Sequence, residues 1–118
     1  MSDVLNPVDA EREVLETANR IAKGVVIVSK AHNDELAAER AYKTANYAAY
    51  LDADGSIKDK EAQAYLETVG LREAWDLAVV AHRRARDNAN ALDRKLSSLQ
   101  SVINSIKRMF GAAGVGER

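Results

Sequence analysis

The stretch from Leu71 to Phe110 most constrains the fold, because apolar residues recur there at alternating steps of four and three. The positions are, in order, Leu71, Trp75, Ala78, His82, Ala85, Ala89, Leu92, Leu96, Leu99, Ile103, Ile106 and Phe110, and only His82 is not apolar. A heptad spacing without Gly or Pro predicts one long helix that buries a narrow seam. Such a helix would be roughly 60 Å long, so it must lie against another long helix, in this chain or in a second one.

Composition also favours helices packed side by side. The chain has 118 residues, of which 47% are hydrophobic, but much of that fraction is Ala, and there is one Trp and one Phe. A thin core rich in alanine suits adjacent helices better than a sandwich or barrel. The single proline, Pro7, leaves the rest of the chain free to be helical. The absence of cysteine excludes disulfides and thiolate metal sites.

A first helix is predicted to begin at Asn6 and Pro7, since asparagine caps helices and proline suits the first turn. Gly24 and the β-branched run Val25–Val28 leave helix, kink and strand open, but no partner strand is visible, which favours a helix. The predicted apolar face before Ser29 consists of Leu15, Ala18, Ile21, Ala22, Val25 and Val28. The predicted face after it consists of Leu36, Ala37, Ala38, Ala41, Tyr42, Ala45, Ala48, Ala49 and Leu51.

A turn is predicted at Asp52–Ser56, because these residues favour turns. The second helix would then run to Phe110, with Gly111 as its C-terminal cap. The fold class that follows is all-α, a long antiparallel helical hairpin of coiled-coil type. An additional N-terminal helical segment either extends the first arm or folds back as a third helix. Residues 1–110 form the predicted single domain, and residues 111–118 a flexible Gly-rich tail.

The second half of the long helix is predicted to reach beyond an arm that spans only residues 29–51. It must therefore meet either the N-terminal helix or another subunit, and small serines beside the seam would let another helix approach closely. We expect a homo-oligomer. The predicted oligomer interface consists of Leu92, Leu96, Leu99, Ile103, Ile106 and Phe110.

His82 is the one polar seam position. In a hairpin that closes at residues 54–56, it lies opposite about residue 28, with His32 about one turn away. A metal site would need further ligands, and a polar seam residue more often fixes register or oligomer state. No nucleophile motif, phosphate-binding glycine loop or metal motif is present, so we expect no enzymatic activity and no cofactor.

Charge is uneven along the chain. The net charge is −1, yet residues 82–110 contain seven basic and two acidic side chains. One interpretation is that the acidic and basic halves complement each other within the hairpin. The other is a surface that contacts phosphates. Its candidate nucleic-acid-binding residues are Arg83, Arg84, Arg86, Arg94, Lys95, Lys107 and Arg108.

The N-terminus is acidic and lacks the apolar core of a signal peptide, and the longest apolar run is far too short to span a membrane. We therefore expect a cytoplasmic protein without a membrane partner.

The layout from AERAYKTANYAAYLDADGSIKDKEAQAYL to the terminal SIKRMF pattern resembles the UvsY-type recombination mediators of tailed bacteriophages. The resemblance covers about Glu35 to Gly114 and consists of element order, an arm rich in alanine and tyrosine, and a terminal apolar-basic pattern. It implies a ring-shaped oligomer in the host cytoplasm. Such an oligomer would bind single-stranded DNA and help to load a recombinase against a single-strand-binding protein.

The alternative is a helical oligomerisation or protein-interaction module with no nucleic-acid role. The uninterrupted seam and the net charge near zero favour this second hypothesis.

Overall fold

Two long helices account for the fold in the computed structural model, which describes the backbone of residues 6–116 and the side chains of residues 6–111. Helix α1 spans Pro7–Asp52 and helix α2 spans Ile57–Gly116. Residues 53–56 join them, and no strand occurs among the described residues. The prediction of an all-α helical hairpin is confirmed. None of the described helices is long and apolar enough to cross a membrane.

Side-chain caps explain where both helices begin. The Asp9 N–H donates to Asn6 Oδ1 at 2.8 Å, which confirms the predicted start at Asn6 and Pro7. At α2, the Asp59 N–H donates to Ser56 Oγ at 3.2 Å, and the Ser56 N–H donates to Asp59 Oδ2 at 3.3 Å. This reciprocal arrangement is a capping box. It follows Gly55, whose positive φ of 111° lets the chain enter α2.

The open alternatives in the first arm are decided in favour of one helix. Residues 24–28 are helical, and the N-terminal segment extends the first arm rather than forming a third helix. The predicted end of the second helix is wrong, because α2 continues through Gly111 to Gly116. A glycine cap requires a left-handed backbone, and Gly55 is the only described glycine with positive φ. Two alanines also follow Gly111 and favour the helix. The predicted tail is therefore helical as far as Gly116, and residues 117–118 lie outside the described part.

The chain divides into two compact units, each built from a stretch of both helices. The turn unit is Ile27–Arg86, and the terminal unit joins the chain up to Val26 with the chain from Asp87 onward. The single domain over residues 1–110 stays a prediction.

The turn unit buries two facing stripes with heptad spacing. Its positions on α1 are Val28, Ala31, Glu35, Ala38, Tyr42, Ala45 and Ala49. Its positions on α2 are Ala64, Thr68, Trp75, Ala78, His82 and Ala85. Most of these side chains are small, which lets two helices approach closely, and the larger ones lie at intervals between them.

The terminal unit repeats this arrangement. Ala10, Val14, Thr17, Ile21 and Gly24 of α1 are buried or half-buried. The matching positions of α2 are Ala89, Leu92, Leu96, Leu99, Ile103 and Ile106.

Two of the twelve predicted seam positions on α2 are wrong. Leu71 is 39% exposed, and its neighbour Arg72 instead lies half-buried over the Trp75 ring. Phe110 is 65% exposed. Lys107 lines the same groove as Glu11, so Phe110 lies level with the first turn of α1, where Val8 is exposed as well.

The predicted apolar face of α1 is also partly wrong. Its exposed members are Leu15, Ala18, Ala22, Val25, Leu36, Ala37, Ala41, Ala48 and Leu51. Gly24, Thr17 and Glu35 occupy seam positions instead, because at those places a small or hydrogen-bonded side chain fits between the helices.

Candidate functional site

Three arginines follow one another closely on α2 in the turn unit. Arg83, Arg84 and Arg86 are all exposed, and they flank the buried seam residues His82 and Ala85. Within residues 6–111, none of the three forms an ion pair. Their guanidinium groups are therefore available to an external anion, and a guanidinium matches phosphate oxygens in pairs of hydrogen bonds.

Three other cations of the turn unit are held by neighbours on the same helix, whereas Arg40, Lys58 and Lys60 form no ion pair within residues 6–111. Lys30 pairs with Asp34 at 2.8 Å, Lys43 with Glu39 at 2.6 Å, and Arg72 with Asp76 at 3.4 Å. The hydrogen bond and the charge of Glu39 raise the pKa of Lys43 above its ordinary value. Among the described residues the three arginines have no carboxylate partner, and they are distinguished from the other unpaired cations because all three lie within about one turn of α2.

The other four predicted basic residues lie in the terminal unit. Arg94, Lys95, Lys107 and Arg108 are exposed. Lys95 Nζ pairs with Glu13 Oε2 of α1 at 3.3 Å, as the complementary-halves interpretation expects. Lys107 lines a shallow groove with Glu11, Val14, Leu15 and Ile103. The Lys95–Glu13 pair and the groove that Lys107 shares with Glu11 both fit the complementary-halves interpretation.

The predicted oligomer interface lies largely against the first helix of the same chain. Leu99 is buried, and Leu92, Leu96, Ile103 and Ile106 are half-buried, within the terminal unit. The second half of α2 therefore meets the N-terminal helix, and an oligomer interface through these residues stays a prediction. Of the six, Phe110 alone remains exposed.

His82 forms a polar contact across the seam. Its Nδ1 lies 3.2 Å from Glu35 Oε1, and its ring centroid lies 4.9 Å from that of His32 in an edge-on arrangement. His32 is near, as predicted, but the residue opposite is Glu35 rather than residue 28. No group of metal-binding side chains large enough for a metal ion occurs in the described part of the chain. The pair Glu35–His82 is instead a polar contact across the seam, of the kind that fixes the register of facing helices.

An aromatic and cationic cluster in the turn unit was not anticipated from the sequence. The rings of Tyr42 and Trp75 lie 5.7 Å apart between centroids, and the Arg72 guanidinium lies 4.2 Å from the Trp75 centroid. Lys43 Nζ lies 5.7 Å from the same ring. The heptad places Trp75 in the seam, but only the register shows that Tyr42 is its partner. The covered indole leaves Tyr47 and Tyr65 as exposed aromatic side chains of this unit.

The side of α2 that faces away from the seam, here called the outward side, carries exposed apolar residues in the turn unit. Glu73, Asp76, Leu77 and Val80 line a shallow groove of about 350 Å³. Leu77 is 71% exposed and Val80 is 50% exposed. The seam pattern does not include these residues, and their four-and-three spacing with two charged residues was the signal that could have revealed them.

No protein-family model, curated protein or solved structure matches this chain. The resemblance to UvsY-type mediators accordingly stays a prediction.

Proposed function

We propose that the protein is a non-enzymatic accessory of DNA recombination that associates with itself and binds single-stranded DNA. Arg83, Arg84 and Arg86 of the turn unit would make the first contacts with the phosphates. One observation supports this proposal most directly: three exposed arginines lie within about one turn of α2, and none has a carboxylate partner among the described residues.

The physical chemistry of such a surface favours a single strand bound without sequence preference. Each phosphate that a guanidinium neutralises releases a bound counterion, so affinity falls as salt rises. Exposed aromatic rings stack on bases of any identity, and Tyr47 and Tyr65 have the exposure that stacking requires.

Fluorescence anisotropy of a labelled oligo-dT strand tests this proposal. We expect binding at about 50 mM salt that weakens steeply toward 200 mM. Replacement of Arg83, Arg84 and Arg86 together by Gln should reduce affinity at least about tenfold. It should also lower the slope of log K against log salt by about 2, since each lost phosphate contact contributes about 0.7.

A matched control carries the same loss of charge on α1. Arg12, Arg20 and Lys23 are exposed and lie in the terminal unit, and their joint replacement by Gln should leave most of the affinity. Equal losses in the two variants would show that only net charge matters. No binding by wild type at about 50 mM salt would contradict the DNA part of the proposal.

The recombinase-loading role rests on the resemblance in layout. It predicts that the protein shortens the lag before a recombinase assembles on DNA coated with a single-strand-binding protein. An unchanged lag, measured by the onset of ATP hydrolysis with protein that binds DNA, would limit the function to DNA binding.

Self-association without any DNA role is the second candidate function. Its specific support is the row of apolar side chains on the outward side of α2, where Leu66, Leu77 and Val80 are exposed. An assembled protein that fails the anisotropy test would favour it.

A further inference from the structure

The outward side of α2 in the turn unit carries one straight stripe of four residues. Glu73, Leu77, Val80 and Arg84 follow one another at steps of four, three and four, so they lie in line along the helix. All four are exposed, and none belongs to the seam that packs against α1. The stripe is thus available to a partner while the hairpin is intact.

Within one chain, the charged residues of the stripe are unpaired among the described residues and its apolar residues are exposed to water. Neither Glu73 nor Arg84 forms an ion pair in the part of the molecule that is described, although the adjacent Asp76 pairs with Arg72. Between the two charges lie Leu77 and Val80, with most or half of their surface in water. A partner that covered these apolar groups would also have to present a cation to Glu73 and an anion to Arg84.

A second copy of the same stripe, laid antiparallel, meets both requirements. When two such helices are related by a twofold axis between Leu77 and Val80, each Leu77 faces the Val80 of the other copy. The same operation sets each Glu73 opposite the Arg84 of the other copy. Isologous contacts of this kind are the commonest in homodimers, because one patch serves both subunits.

We infer that this protein forms a twofold dimer through the stripe Glu73, Leu77, Val80 and Arg84. This inference deepens the self-association part of the proposed function and does not depend on the DNA part. In the dimer Arg84 pairs with Glu73 of the other copy, so Arg83 and Arg86 remain for phosphates. The contact is small and its two ion pairs are exposed, so the dimer dissociates on dilution and weakens at high salt.

Charge reversal at the two ends of the stripe tests the pairing. Analytical ultracentrifugation should show a concentration-dependent dimer for wild type. Glu73→Arg should be monomeric, because the new arginine would face Arg84 of the other copy, and Arg84→Glu should be monomeric because two glutamates would face each other. An equimolar mixture of these two variants should dimerise again, since both cross pairs are then of opposite sign. The double variant Glu73→Arg with Arg84→Glu should dimerise by itself.

The control is Glu67→Arg, which makes the same charge change at an exposed position off the stripe. It should keep the wild-type dimer, and circular dichroism should show equal helicity in all variants. Monomeric wild type, a dimer that persists in Glu73→Arg, or a mixture of the two single variants that stays monomeric would each overturn the inference.

DNA binding by Glu73→Arg separates the two proposals. This variant loses the dimer but gains positive charge, so it should bind oligo-dT at low salt if the arginines contact DNA. If wild type dimerises but does not bind DNA, this inference stands and the DNA proposal fails. If wild type binds DNA as a monomer, the DNA proposal stands and this inference fails.

Discussion

Thr17 and Thr68 are both buried in a seam but differ in their hydrogen bonds. The Thr68 hydroxyl donates to the Ala64 carbonyl at 2.7 Å and accepts from Asn46 Nδ2 at 3.2 Å. Thr17 is 1% exposed, and its hydroxyl finds no hydrogen-bond partner among the described residues. A buried hydroxyl without a partner loses its hydration with nothing in exchange.

Valine at position 17 should therefore raise the free energy of unfolding by about 1 kcal/mol, because it keeps the shape and removes the unpaired group. Valine at position 68 should lower the free energy of unfolding by about 1–2 kcal/mol, because Asn46 loses its acceptor. Urea titration followed by circular dichroism measures both. Destabilisation by Thr17→Val would show that the hydroxyl has a partner, such as water, that offsets its burial.

Apart from Val14, the seam residues of α1 that the sequence does not reveal are small or polar. The spacing of large apolar side chains identifies Ile21, Val28 and Tyr42 on α1 but not Thr17, Gly24 or Glu35. Burial at these positions is decided by how closely the facing backbone approaches, and hydropathy does not report that distance.

Among the elements, the turn between the helices depends on Gly55. Its φ is +111°, and an added Cβ would lie 3.0 Å from Asp59 Oδ2 and 3.1 Å from Asp59 Cβ. Asp59 is held in the capping box with Ser56, so it cannot move away without the loss of those bonds. Gly70, by contrast, lies within α2 with open space around its Cα.

Alanine should thus have opposite effects at these two glycines. Gly55→Ala should destabilise the fold by about 1–3 kcal/mol through backbone strain. Gly70→Ala should stabilise it by about 0.5–1 kcal/mol through helix propensity. The single tryptophan, Trp75, belongs to the turn unit with both glycines, and its fluorescence during urea unfolding reports both changes. A neutral Gly55→Ala would mean that the turn rearranges without cost.

Helix starts were predictable from the sequence because caps are local. Asn6 and Ser56 each accept a hydrogen bond from the backbone N–H three residues further on, and the helices begin directly after them, α1 at Pro7. The end of α2 was not predictable in this way. Gly111 permits a left-handed cap but does not enforce one, and the residues that follow it can continue the helix.

For the molecule as a whole, a dimer through the outward stripe links stability to protein concentration. Dimerisation removes folded monomer from the unfolding equilibrium, so the melting temperature rises with concentration. We expect a rise of roughly 2–4 °C per tenfold increase in concentration for wild type where the dimer predominates, and none for Glu73→Arg. Thermal melts by circular dichroism measure it, and a melting temperature independent of concentration in wild type would contradict the expectation.

The hairpin followed from the length of the heptad pattern and the turn, since a long seam on one helix requires a second. The candidate site could be predicted from the sequence less completely than the hairpin. The sequence identifies the basic residues, but whether each one forms an ion pair with a carboxylate depends on tertiary contacts. Lys95 proved to contact Glu13 across the helices, whereas Arg83, Arg84 and Arg86 have no such partner in the described chain.

Two alignments of the turn unit share the same alanine contacts. Alanine recurs at positions 31, 38 and 45 of α1, so a slip of one heptad would set alanine where alanine already lies. In a slipped alignment with Val28 against His82, Glu35 would lose its imidazole partner and its carboxylate would lie against Trp75.

The observed alignment instead joins Glu35 to His82, Asn46 to Thr68 and Tyr42 to Trp75. The alanines bring the helices together without distinguishing neighbouring alignments. Three unlike pairs therefore carry the information that makes the alignment of this hairpin unique.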